Sequence, residues 1–235
     1  MGPIRNRAFL GVIAAGALVA GAVVLIFGSL IGESASESGK SAGAPLAEAV
    51  DLLPSETLRD WASYADQLSV VTATSEEELS PPPGADPRLD EDYVGRRVTL
   101  HIDRTLWRRE GAPSSDDTIG MVVWGWAERN GQRRPFEVRG GARMEVGHRY
   151  LLPMTKIGDE WTPLASGTIL TLSADTVTSE VPGGRPDRVA GLLRGRRVAE
   201  VGAMLSATSP DPAAERYADL PPRARWRAAS GTDGS

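Results

Sequence analysis

The chain has 235 residues, 41% of them hydrophobic, a formal net charge of −5 and no cysteine. Without cysteine there is no disulfide, no thiolate nucleophile, no thiolate zinc site and no lipid-modified lipoprotein N-terminus. A mildly acidic chain with no concentrated basic face also argues against nucleic-acid binding, and its arginine skew, broken only by Lys40 and Lys156, reads as compositional bias.

Residues 8–32 (AFLGVIAAGALVAGAVVLIFGSLIG) carry no charge and no polar face. A helix of that length rises roughly 37 Å, enough to cross a hydrocarbon layer of about 30 Å with some tilt. Arg5 and Arg7 precede it and Glu33 and Glu37 follow. That asymmetry predicts a single-pass transmembrane helix with residues 1–7 cytoplasmic and the C-terminal portion extracytoplasmic. The alternative is a secretory signal cleaved near Ser34–Ala35–Ser36, which would release the protein. The apolar run exceeds the about 7–15 residues of a usual signal core, which favours an uncleaved signal-anchor at the cell membrane.

Residues 33–54 are rich in Ser, Gly, Ala and Glu and read as a flexible linker. Ser55 is a candidate N-cap, followed by Leu58, Trp61, Ala65 and Leu68 at helical spacing, so a short helix is expected to about Gln67. Leu68 to Thr74 (LSVVTAT) reads as a first strand. The next stretch, with Pro81 to Pro83 and the acidic Asp86, Asp90, Glu91 and Asp92, lacks the residue order of a calcium loop and reads as a solvated linker.

Arg96 to Arg108 alternates Val98, Leu100 and Ile102 with Thr99, His101 and Asp103, the pattern of a half-buried strand. MVVWGWAER and QRRPFEVR flank Asn130–Gly131, the sequence of a two-residue hairpin turn. Counting outward pairs Arg129 with Gln132, Glu128 with Arg133 and Gly125 with Phe136. Met121, Val123, Phe136 and Val138 then share one face, with Trp124 and Trp126 on the other. Gly147, the strand HRYLLPMTKI, a turn at Gly158–Asp159 and one or two further strands lead to Pro182.

Five or six antiparallel strands without βαβ alternation predict a mainly β fold over residues 55–182: a small antiparallel barrel of the oligonucleotide/oligosaccharide-binding (OB-like) type with a flanking N-terminal helix. Residues 183–208 are expected to form a helical C-terminal extension, with Val198, Val201 and Leu205 on one stripe. The five arginines from Arg185 to Arg197 interrupt that stripe and read as a solvated face. Residues 209–235 are rich in Pro, Ala and Arg and are expected to be disordered.

The order of short helix, SVVTAT, acidic loop, GRRVTLHIDRTLW and GHRYLLP resembles membrane-anchored outer-surface β-domain proteins of Gram-positive bacteria over roughly residues 55–178. It is more loosely similar to the netrin-like barrels of OB type, which usually carry disulfides where this chain has none. The resemblance implies fold and location and brings no catalytic residue with it.

Three groups of residues are candidate sites, the first being Asp86, Asp90, Glu91 and Asp92, already read as a solvated linker. His101 and Asp103 share a strand face, and with His148 they offer two imidazoles and a carboxylate to a metal, which would make a metal-dependent enzyme. A polar solvent face is the simpler account. No Gly-x-Ser-x-Gly elbow or Ser-x-x-Lys pair supports a hydrolase, so catalytic residues, metal and cofactors are all expected to be none. Trp124, Trp126 and Arg133 form the third group. If the indoles are open they make a platform for a protein or cell-envelope glycan partner; if not, the Leu58/Trp61 helix or the Val198/Val201/Leu205 helix covers them. The resulting expectation is a non-catalytic binding or interaction protein tethered to the membrane, with a structural subunit of a membrane complex as a further alternative.

Overall fold

The structure is a computed structural model that describes residues 46–47, 53–79, 92–129, 132–138, 141–178 and 189–231. The transmembrane span expected at 8–32 and the cytoplasmic segment 1–7 lie outside these residues, as do most of the linker and the Asn130–Gly131 turn. Among the described residues no helix is long and apolar enough to cross a membrane.

The chain orders itself around one antiparallel sheet. The strands are β1 (Leu46–Ala47), β2 (Gln67–Glu78), β3 (Asp92–Arg108), β4 (Thr118–Arg129), β5 (Gln132–Pro135), β6 (Glu137–Val138), β7 (Arg149–Ile157), β8 (Glu160–Pro163), β9 (Leu170–Ser173) and β10 (Thr176–Val177). The helices are α1 (Leu58–Tyr64), α2 (Val189–Leu193), α3 (Val198–Ser206), α4 (Pro212–Glu215) and α5 (Pro222–Ser230). Eight strands form a sheet in the order β10-β9-β7-β2-β3-β4-β5, with β8 also on β7, while β1 and β6 make a short parallel pair.

β2 is the centre of the fold because it buries both faces. Val71 and Ala73 point into one apolar cluster with Val98, Leu100, Met121, Leu152 and Met154. Leu68 and Val70 point into the other, under Trp61, Val198, Val201 and Leu205 from the helices. Full burial of a leucine such as Leu68, Leu151 or Leu170 is worth roughly 1.5–3 kcal/mol, and these side chains are inaccessible. α3 can lie close on β3 because Gly202 meets Leu106, where a Cβ would sit 3.2 Å from that side chain.

Several expectations change in detail. The first strand runs on through Glu78, beyond the expected end at Thr74. Its acidic end stays extended because arginines 20 residues later lie alongside it: Glu76 forms an ion pair with Arg96, and Glu77 approaches Arg97 at 3.6 Å. The α1 cap is Thr57, not Ser55. Its hydroxyl accepts from the Asp60 N–H at 3.1 Å and its own N–H donates to the Asp60 carboxylate at 2.8 Å, a reciprocal pair typical of a helix start.

The expected closed barrel is not formed. β8 comes round beside β4 but no hydrogen-bonded ladder joins them. β8 has only four residues and ends on Pro163, which has no N–H to offer. The gap is spanned instead by Arg97, which runs across the bare Cα of Gly120 to within 3.5 Å of Glu160 on β8.

The C-terminal tail is the larger correction. Residues 209–235 were expected to lack order, yet α4 and α5 form within them. Ala214 is buried, Trp226 and Ala229 pack on the helix-covered core, and Arg225 is driven inside at 1% exposure. Its guanidinium donates to the carbonyls of Ser63, Ala218 and Leu220, tying the tail to the end of α1. The helical extension of 183–208 is described from Val189 and is two helices, parted at Gly195, whose φ of 76° suits a glycine.

Candidate functional site

The β4–β5 hairpin has the expected register, Arg129 opposite Gln132 and Glu128 opposite Arg133. What counting could not supply is a bulge. Val94 on β3 lies opposite Trp126 and the next residue, Gly95, opposite Trp124, so Gly125 has no partner of its own on β3, while its carbonyl accepts from the Phe136 N–H on the other side. A Cβ at Gly125 would lie 2.3 Å from the Val94 carbonyl oxygen, so the bulge is built on a bare glycine.

The extra residue shifts the alternation. Residues directly opposite in an antiparallel pair share a face. Trp126 therefore joins the face of Val94, Arg96 and Val98, and Trp124 stays on the other, against Phe136 with ring centroids 4.9 Å apart. The two tryptophans do not form one platform. Nor does either proposed helix cover them: α1 and α3 pack over Leu68, Val70, Leu106 and Leu151.

Around the partly exposed Trp126 the structure gathers three arginines. Arg133 lies 4.2 Å from the ring centroid, Arg143 5.2 Å and Arg96 5.9 Å, all in the range of cation–π attraction. Each also has a carboxylate. Arg133 meets Glu78 at 2.6 Å, Arg143 meets Glu145 at 2.7 Å and Arg96 meets Glu76. Arg133 thus uses Glu78 in addition to facing Glu128 across the hairpin. Arg96 is wholly buried, its Nε donating to the Trp124 carbonyl and another nitrogen to that of Met144.

The electrostatics of the cluster are uneven. Burial, and then the neighbouring charge of Arg96, lower the pKa of Arg143, while Glu145 and Glu76 oppose the shift. The Tyr150 hydroxyl accepts from the Glu145 N–H at 2.6 Å and donates to the Arg143 carbonyl at 3.2 Å. Burial pushes its phenol up. Thus Trp126 lies near a buried, braced arginine, Arg96, and nearer to an exposed one, Arg133.

His101, Asp103 and His148 are not brought together as a metal site. Asp103 accepts from the Thr72 hydroxyl at 2.9 and 3.0 Å and from Arg149 Nε at 3.1 Å. His148 is an exposed residue in the turn before β7. Among the described residues no group of three His, Asp or Glu side chains is placed to hold a metal ion.

Of the residues singled out from sequence, Trp126 and Arg133 meet and Trp124 does not join them. Arg96, Arg143, Glu76 and Tyr150 were missed. Arg96 had a readable signal, because it falls in phase with Val98, Leu100 and Ile102 on the face expected to be buried. Arg143, from a stretch without regular structure before β7, had none. Comparison with protein-family models and with curated protein sequences finds no match to this chain.

Proposed function

We propose that this chain is a membrane-anchored, extracytoplasmic binding protein without catalytic activity, whose β-domain engages a protein or cell-envelope glycan partner on the Trp126 side of the sheet. The observation that carries the reading is the stack of Arg133 on Trp126 at 4.2 Å, on a hairpin strand whose residues 132–135 are all exposed. An indole with a buried arginine beside it and an exposed one stacked on it is the amphipathic, pre-ordered surface on which binding energy concentrates. The uncharged run at 8–32 supplies the anchor and Arg5 and Arg7 its orientation. The likeness to outer-surface β-domains of Gram-positive bacteria agrees with that placement.

The test is capture of partners by tagged full-length protein from gently solubilised native membranes, beside an Arg133→Glu version. Arg133 is exposed, and reversing it leaves the buried Arg96 and its carbonyl partners in place. A partner recovered with the native chain and lost from the variant supports the site. Equal recovery by both chains removes it.

A further inference from the structure

The arginines between α2 and α3 were read from sequence as a merely solvated face, yet the structure gives them an apolar companion. Leu192 is 52% exposed, the most open large hydrophobic side chain among the described residues, while its neighbour Leu193 is completely buried. Arg194, Arg196 and Arg197 follow it, all exposed. We infer that this turn is a docking surface for the anionic headgroups of a phospholipid bilayer, with Leu192 entering the interface and the arginines meeting the phosphates.

Three features carry the inference. The first is rigidity. The Gly195 N–H donates to the Val177 carbonyl at 2.9 Å, the Val177 N–H to that of Arg196 at 3.0 Å, and the Val198 N–H to that of Asp175 at 2.9 Å. The turn is pinned to β10, so its backbone need not be ordered on binding. The second is charge. Arg194, Arg196 and Arg197 fall within four residues of a chain whose net charge is −5, so positive charge is concentrated here against the overall trend. Glu200 reaches Arg196 only at 3.9 Å with both side chains half exposed, and Asp175 is shared by Arg104 at 3.8 Å and Arg149 at 3.4 Å, exposed pairings of little strength.

The third is chemistry. An exposed leucine beside guanidiniums suits an interface that is apolar below and anionic above, where each basic side chain near an anionic surface adds to binding. Such a patch is weak by itself. It rests on the anchoring proposed above, which would raise the local concentration of the patch at the bilayer.

Because the chain has no cysteine, Ala199→Cys on the exposed side of α3 provides a single attachment point for an environment-sensitive dye. Full-length labelled protein is reconstituted into vesicles of phosphatidylcholine alone or with phosphatidylglycerol. The expected result is a blue-shifted emission in phosphatidylglycerol vesicles only, abolished by high salt, by Arg196→Glu/Arg197→Glu and by Leu192→Asp. Identical emission in the two vesicle types, or a shift that survives charge reversal, overturns the inference. Carbonate extraction of the same vesicles reads the anchor separately. Complete extraction defeats the anchor and the inference that rests on it, whereas protein that resists extraction but emits identically in the two vesicle types defeats the patch alone.

Discussion

Among the described residues, two arginines lie fully inside and are held in opposite ways. Arg96, on the inner face of β3, has the carboxylate of Glu76, the carbonyls of Trp124 and Met144, and the Trp126 ring beside it. Arg225, on α5, donates only to main-chain carbonyls, and its buried Nε finds no partner among the described residues. The carboxylate nearest in influence, Asp66, is taken by Arg109 at 2.9 Å, the Thr155 hydroxyl at 3.1 Å and the Lys156 N–H at 2.9 Å.

The difference shows in charge. Burial first, and then the like charge of Arg109, lower the pKa of Arg225 to about 10. A base whose pKa is lower folded than unfolded is held protonated at a cost to stability below that value. Removing Arg96 strands a carboxylate, whereas removing Arg225 strands only carbonyls and lifts a charge that the fold holds reluctantly. What a buried arginine is worth depends on what its removal leaves behind.

The sharpest way to break the comparison is Arg96→Met. It leaves the exposed Glu76 without its partner and the Trp124 and Met144 carbonyls without a donor, and is expected to lower stability by about 2–4 kcal/mol. Urea denaturation measures it. A loss below about 1 kcal/mol would mean that Glu76 simply turns to water and that Arg96 is no more critical than Arg225.

Gly125→Ala disturbs the same end without touching a charge. Its Cβ would meet the Val94 oxygen, so the bulge must shift, at an expected cost of roughly 1–3 kcal/mol. Trp126 should then lose its place beside Arg96, visible as a changed indole N–H resonance, while the Arg225 end stays unaltered. An unchanged indole resonance would show that the bulge does not set the position of the cluster.

Arg225→Met should have the smallest effect, within about 1 kcal/mol at neutral pH. The pH dependence gives the sign. Between a folded pKa of about 10 and the higher value of a guanidinium in the unfolded chain, the unfolded chain binds the proton that the fold has released, so the wild type gains stability relative to the variant as pH rises through that window. Tyr64 and Tyr150, whose phenols burial pushes up, destabilise both proteins as pH rises past their ordinary value of 10, so most of that effect cancels in the difference. Denaturation at about pH 8 and about pH 10.5 measures it. A relative loss by the wild type would reverse the account of Arg225.

Legibility differed from one element to the next. β3 and the β4–β5 register were readable because alternation and a two-residue turn are local properties. The reach of β2 through Glu78 was not, because three consecutive glutamates look like loop until Arg96 and Arg97 lie beside them. The order of the tail was hidden for the same reason: Arg225 reads as a surface residue until the carbonyl of Ser63, 162 positions earlier, receives it.

The amino-acid sequence alone determined the mainly β character, the hairpin register, the uncharged run at 8–32 and the presence of Trp126 and Arg133 on one hairpin, since periodicity, turn chemistry and charge distribution act over a few residues. Only the tertiary structure decided that the sheet stays open and that the bulge at Gly125 parts Trp124 from Trp126. It alone joined Arg96 and Arg143 to Trp126 and left Leu192 outside while Leu193 went in. Each of those outcomes depends on which backbone or charge arrives from a distant part of the chain, and that is a property of packing.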